Sequence, residues 1–402
     1  MRTAAIALAL AAMVSAVAGA AAQEFSGSVE ARAGFYFDDA DLEPRTQELE
    51  GRVDGKIGDA DMPRAQYSAR LAVEYDPASG ETSVELGEAW IKLFEGPFDI
   101  CLGNQIVAWS VSDVFYPSDV VNPWDLSVPI DRKKMSVPLA RIILNGDAFS
   151  IDLVAQPYWI AGKMPASRWL SAEQASLASL AHDETLDEVP DFSWDNVAVG
   201  CHAKATIDLL QGLDLGATFY RGRSSSPTGV GFVYTGPYPT GYYYVYDRAT
   251  LFGADLTLAP GGDFLLKTEW AYTTLGDASL ISPGAGEASA QGVAAIEYTL
   301  GTAQIVGEYV FDWEKGSAED TVSHSVVGAF SWESGSRASV KVAGAYDFAD
   351  GGSGMVSPQA SYTLADGLSA SCELFFFFGD SETEYGAYSD NDLGRISLKC
   401  FF

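Results

Sequence analysis

Between residues 110 and 136 the chain carries Asp113, Asp119, Asp125 and Asp131 at even spacing, followed by Arg132, Lys133 and Lys134. Carboxylates in such a run could ligate a cation. The central Gly and terminal Glu of a calcium loop are missing, so the spacing does not predict a metal site. Two readings stay open. In one, the segment folds into a lumen as a constriction, its acids facing basic side chains on the wall. In the other it is an external loop ordered by Pro117, Pro123 and Pro129, with Asn122 and the aspartates making local turn bonds. Catalysis finds little support: His182, His202 and His324 are remote from one another, and no motif holds a base beside a nucleophile or water. No catalytic residue, cofactor or metal is therefore predicted. Cys101, Cys201, Cys372 and Cys400 follow no metal spacing. Cys372 and Cys400 fall on one face of what read as adjacent strands, so a disulfide is conceivable, but two small apolar residues facing lipid is the simpler reading.

Acids outnumber bases 55 to 24 in 402 residues, for a net charge of −31. Neutralising phosphates takes clustered Lys and Arg, so the balance excludes nucleic acid and argues against phosphate binding in general. With 9 Trp, 19 Tyr and 21 Phe the chain is also too aromatic to be disordered. Forty Gly and a charged fraction of 20% are unusual for a soluble protein of this length, which would normally split into two domains.

The elements that must position these groups begin after a leader. Met1 and Arg2 precede an apolar run from Ala4 to about Ala22, closing on Ala20, Ala21 and Ala22. This reads as a secretory signal peptide over 1–22, cleaved after about Ala22, with the remainder, 23–402, forming one domain. Beyond it no run is apolar and long enough for a membrane-spanning helix, which leaves a soluble exported protein or a closed outer-membrane barrel. Periodicity separates the two. In 264–274 Phe264, Leu266, Trp270 and Tyr272 alternate with Lys267, Glu269 and Thr273. In 303–313 Ile305, Tyr309, Phe311 and Trp313 alternate with Gln304, Glu308 and Asp312. Similar segments follow to the end, where Ile396, Leu398 and Phe402 oppose Arg395, Ser397 and Lys399. Alternation over 10 or 11 residues is strand periodicity at bilayer-spanning length, and the aromatics gather near the ends of the apolar faces as in interfacial girdles.

Short links at Gly96-Pro97, Gln211-Gly212, 259–263, Gly301, Ser334-Gly335 and Asp366-Gly367 read as tight turns. Longer ones lie between them, at 38–46, 76–81, 110–136, 161–195, 223–241, 275–288, 314–320, 349–354 and 379–391. Short periplasmic turns alternating with long external loops predict an all-β, transmembrane antiparallel β-barrel of 18 strands. Sixteen is the alternative, because 47–58, rich in Gly and charge, is the weakest strand.

Alternation assigns a mixed set of charges to the lumen. Arg32, Arg70, Arg141, Lys204, Arg337, Lys341 and Glu308 are the wall candidates for a charged constriction, with Asp113, Asp119 and Asp125 on the loop. Opposed charges of this kind set up a transverse field that orients dipolar solutes and sets ion selectivity; pairing that merely stiffens the wall is the plainer reading for most of them. The cluster Tyr234, Tyr238, Tyr242, Tyr243, Tyr244 and Tyr246 could stack on sugars, but an interfacial girdle is the commoner explanation. The acidic loop 161–195 reads as a solvated surface.

The final strand, ending in Phe401-Phe402, resembles the C-terminal strand of bacterial outer-membrane barrels, in which a terminal aromatic residue is part of the barrel-assembly signal. The segment Gly103-Asn104-Gln105-Ile106-Val107-Ala108-Trp109, followed by Asp113, Pro117, Asp119, Asn122-Pro123, Asp125 and Arg141, is similar to a stretch of a poorly characterised family of Gram-negative porin-like outer-membrane barrels. Ser110 departs from it, standing where the family has Gly. The resemblance covers about 60 residues and implies a pore without a reaction. The partners expected are outer-membrane lipid and a lipopolysaccharide-type surface, the barrel-assembly machinery through Phe402, and small hydrophilic solutes or ions diffusing passively; nucleic acid is not among them. Trimerisation, common among porins, leaves no readable trace, so a homotrimer stays open. A substrate-selective channel for saccharides or hydrophobic solutes, and a non-conducting surface adhesin, are the alternatives.

Overall fold

A computed structural model of the chain describes residues 23–37, 42–58, 63–75, 80, 82–187, 193–276, 288–316, 320–335 and 337–402. The expected leader at 1–22 lies outside these residues, as do parts of the expected links at 38–46, 76–81, 161–195 and 275–288. Eighteen antiparallel strands close into a single barrel. In chain order they are β1 Gln23–Tyr36, β2 Leu42–Gly58, β3 Pro63–Tyr75, β4 Thr82–Glu95, β5 Phe98–Gln105, β6 Val137–Asn145, β7 Phe149–Gln156, β8 Ala198–Ile207 and β9 Leu213–Arg223. The second half comprises β10 Arg248–Gly261, β11 Phe264–Gly276, β12 Ala288–Leu300, β13 Ala303–Lys315, β14 Thr321–Ser334, β15 Ala338–Asp347, β16 Ser353–Ala365, β17 Leu368–Phe378 and β18 Leu393–Phe401. Each strand pairs with the next, and β1 pairs with β18 to close the wall, so no edge is left unpaired. Among the described residues no helix is long and apolar enough to cross a membrane.

The outer face carries the apolar alternation. Val29, Phe35, Leu102, Phe252, Trp270, Tyr309, Phe330, Tyr362 and Ile396 are all exposed there. Such a surface is stable only in lipid. Phe402 continues the closure past β18, exchanging backbone hydrogen bonds with Gly27. The disulfide alternative fails on register: Cys372 pairs with Ile396 while Cys400 pairs with Leu368, and both are free and exposed.

Two expectations are corrected. The tyrosine cluster is not a girdle on the wall. It lies on a hairpin beyond the strands, Gly229–Thr235 with Tyr238–Val245, joined by the short strand Ala181–His182. There Tyr242 is buried and stacks on His182, while Tyr246, just past the hairpin, is buried against Trp159. Likewise Arg337 sits in the turn between β14 and β15, exposed at the short-turn rim, and so takes no part in the lumen wall.

Candidate functional site

Segment 106–136 leaves β5 and turns into the lumen, as the first reading of its aspartates expects, while Asn122, Asp119 and Asp125 make bonds within the loops, as the second expects. Its first fastener is Gln105, whose side-chain amide donates to the Leu139 carbonyl at 3.1 Å. The Asn122 side chain then staples the two legs of the loop, accepting from Val107 N at 2.7 Å and donating to the carbonyls of Gln105 and Met135. Asp119 accepts from the backbone N–H groups of Trp109 and Ser110 and pairs with Lys134. Gly103, within β5 two residues before the loop leaves it, has φ of 124°, and a Cβ there would lie 2.2 Å from the Ala89 carbonyl oxygen, so only glycine fits this close approach.

Trp109 anchors the loop to the wall. Its indole N–H donates to Asp152 at 2.8 Å, and Asp152 is also gripped by Arg141 at 2.7 and 2.9 Å. The ring stacks on His202 and lies over Gly200, where a Cβ would approach it to 2.7 Å. Around it Val107, Val121, Val137, Leu139, Val154, Tyr220 and Leu251 form an apolar core inside the barrel. Further across, Phe115 packs on Val293 and Val310.

Two wall carboxylates hold the tip. Glu269, on β11 and fully buried, accepts from the Ser110 hydroxyl at 2.6 Å and from the N–H groups of Val111 and Ser118 at 2.9 and 2.8 Å. Glu308, on β13, accepts from three consecutive N–H groups, Asp113, Val114 and Phe115, at 2.7, 3.1 and 3.2 Å. Each carboxylate thus satisfies a turn of backbone that would otherwise be unpaired away from water. The returning leg is tied to the opposite wall, where Asp131 takes Arg395 of β18 at 2.8 Å and Arg32 of β1 at 3.2 Å. A second segment crosses above it: Lys163 pairs with Asp125 at 2.6 Å, and Trp169 packs on Phe377 and Tyr388. Burial pushes the Asp125 carboxyl up, but the bonds from Lys163 and Ser127 outweigh it and hold the group below the usual carboxylate range.

The predicted residues therefore divide. Arg32, Asp113, Asp119, Asp125, Arg141 and Glu308 fasten loops in the lumen, and Asp113 pairs with Lys267 of β11 at 2.7 Å. Asp119 and Asp125 are buried in pairs within the loops and face no basic group on the wall. Lys204 pairs with Asp214 at 2.6 Å near the short-turn end. Arg70 pairs with Glu50 at 2.7 Å and borders a recess of about 210 Å³ with Glu48, Glu85, Glu88, Lys133 and Lys134. Lys341 is exposed on a serine-rich stretch of wall, between Ser331 and Gln359 of the neighbouring strands. Beside the loop a larger recess of about 510 Å³ opens toward the long-loop end. Tyr116 and Trp124 stack at 5.7 Å along one side of it, with Arg223, Gln291, Asp312 and Glu314 also on its walls. Alternation put Glu269 in the lumen but gave no hint that it holds the loop, since backbone donors leave no trace in side-chain types.

No protein-family model matches the chain, and no curated protein sequence matches it. Solved structures do resemble it. Pseudomonas aeruginosa OccK2 (OpdF) aligns over 95% of this chain and 98% of its own, at 10% identity and a TM-score of 0.59. The in-vitro folded OmpT, an outer membrane protein of Vibrio cholerae, covers 94% of this chain and 97% of its own, at 12% identity and a TM-score of 0.50. At such identities the likeness shows the fold alone: a closed antiparallel barrel of 18 strands with an apolar outer face, of the kind these outer-membrane proteins have.

Proposed function

We propose that the protein is a passive channel for small hydrophilic solutes and ions, whose aperture and selectivity are set by loop 106–136 and the charged wall around it. The observation that carries this reading is the double anchoring of that loop across the lumen, by Glu269 and Glu308 on one side and by Asp131 with Arg32 and Arg395 on the other. An adhesin would have no use for a loop fastened inward. A charged constriction follows in this reading from Arg70, Lys133 and Lys134 standing opposite Glu48, Glu85 and Glu88 around one wet recess. Water and ions pass such a site by exchanging hydration for opposed fixed charges, so throughput is high and no chemical step is needed.

The stacked Tyr116 and Trp124, with Arg132 and Lys134 over their rings at 5.4 to 5.9 Å, favour a second reading, a solute-selective channel that retains planar or ring-shaped solutes in the larger recess. Liposome swelling separates the two. Rates that fall smoothly with the size of uncharged sugars support the general channel. Slow entry of all sugars but one ring class, relieved by Trp124→Ala, supports the selective one. Impermeable liposomes would leave neither standing.

A further inference from the structure

On the outward register near the long-loop end of β9 and β10, three arginines share one notch, although Arg223 at the rim also borders the larger recess beside loop 106–136. On the outward register of these strands Phe219 pairs with Phe252, Arg221 with Thr250, and Arg223 with Arg248. The two phenylalanine rings meet at 5.4 Å on the lipid face. At about 3.3 Å of rise per residue, Arg221 lies about 7 Å and Arg223 about 13 Å further along the strand toward the external edge. That is where an acyl layer gives way to headgroups.

Like charges directly opposite on adjacent strands destabilise a sheet, and Arg223 and Arg248 are such a pair. Among the described residues no carboxylate lies within 4.0 Å of any of the three guanidinium groups. Arg223 donates to the Tyr246 carbonyl at 2.7 Å, and Arg223 and Arg248 lean on one neutral acceptor, the Asn196 side-chain oxygen, at 3.4 and 3.3 Å. Arg221 is exposed. Between them opens a concavity of about 50 Å³ bordered by Asn196, Val199 and Gly222. In a chain of net charge −31 with 24 basic residues, this grouping is the reverse of the overall balance that argued against phosphate.

We propose that this notch binds a phosphate group of an outer-leaflet glycolipid, with Arg221, Arg223 and Arg248 on the phosphate and Phe219 and Phe252 against its acyl chains. The inference rests on the outer-membrane reading, with the long loops outside. A guanidinium fork matches phosphate oxygens two at a time, and a dianion between Arg223 and Arg248 turns their repulsion into two attractions. A free phosphate ion would use the same arginines but gain nothing from the phenylalanines below.

The test is native mass spectrometry of the detergent-folded protein with three probes: bis-phosphorylated lipid A, the same lipid dephosphorylated, and inorganic phosphate. The phosphorylated lipid should be retained at least about tenfold better than the dephosphorylated one. R221Q/R223Q/R248Q should reduce it to the dephosphorylated level. Because Arg223 also braces Tyr246, R221Q alone is the companion variant: it should lose retention severalfold while heat-resistant gel mobility stays native. Equal retention of the two lipids, or a triple variant that binds like wild type, overturns the proposal. Inorganic phosphate displacing the lipid completely would show a free-anion site and overturn the lipid assignment. Bilayer conductance of the same preparations keeps the readings apart, since lipid retained without conductance breaks only the channel and conductance without lipid preference breaks only this proposal.

Discussion

Glu269 shows how one side chain decides the state of a loop. Glu269→Ala would strand the Ser110 hydroxyl and the N–H groups of Val111 and Ser118, at about 1–3 kcal/mol for each buried donor left unpaired. The barrel wall should survive and the loop should loosen, so limited proteolysis of the folded variant should cut within 106–136 where the wild type resists. An uncut variant would show that the apolar contacts of Trp109 and Phe115 hold the loop unaided. Asp125 gives a pH test. Its pKa is depressed on folding, so its tie to Lys163 adds stability above the ordinary carboxylate value of 3.8 and loses it as pH falls through the lower, folded value. The crossing segment should accordingly stay protease-resistant at mildly acidic pH and open only below about pH 4, whereas Asp125→Asn should be cut at neutral pH already. A wild-type segment that opens near pH 6 contradicts the assignment.

At the scale of elements, legibility followed the surroundings of each strand. From β11 to β16 one face meets lipid and the other, outside the patch where Phe115 meets Val293 and Val310, a polar lumen, so period two stood out in the sequence. Between β5 and β10 the inner face packs against loop 106–136, and Val137, Leu139, Val154 and Leu251 are apolar on the side that should have been wet. Both faces then read alike and the alternation blurs. The doubtful segment 47–58 lies within a full strand, β2, and one of its glycines has a packing reason: a Cβ at Gly55 would lie 2.2 Å from the Tyr67 ring of β3. Gly55→Val should displace Tyr67 and cost about 1–3 kcal/mol by overpacking, read as a lower unfolding temperature in detergent, while Gly58→Ala at the strand end serves as a comparison for backbone strain alone. The fasteners were visible only as a resemblance. Gln105, Trp109, Asp119, Asn122 and Arg141 could be quoted from the sequence, but their partners lie on other strands or on the far leg of the loop, and nothing local announces them.

Over the whole molecule, many wall charges of the described residues are paired, so in the proposed channel selectivity should fall to charges, paired or not, that still border open space. Arg141, half-buried and paired with Asp152, should act on stability more than on ions. Lys341, exposed on the lumen wall, and Arg70, beside the recess with Lys133 and Lys134, should act on ions. Lys341→Gln and Arg70→Gln should each move the reversal potential in a salt gradient a few millivolts toward cations, more at low ionic strength than at high. Arg337→Gln, at the short-turn rim, should move it least. The most direct test of the account is single-channel conductance in planar bilayers, wild type against Glu269→Ala/Glu308→Ala. Discrete openings are expected for the wild type and larger, noisier ones for the double variant, as the freed loop leaves the lumen. Absence of wild-type openings, or equal conductance in the two proteins, would contradict it.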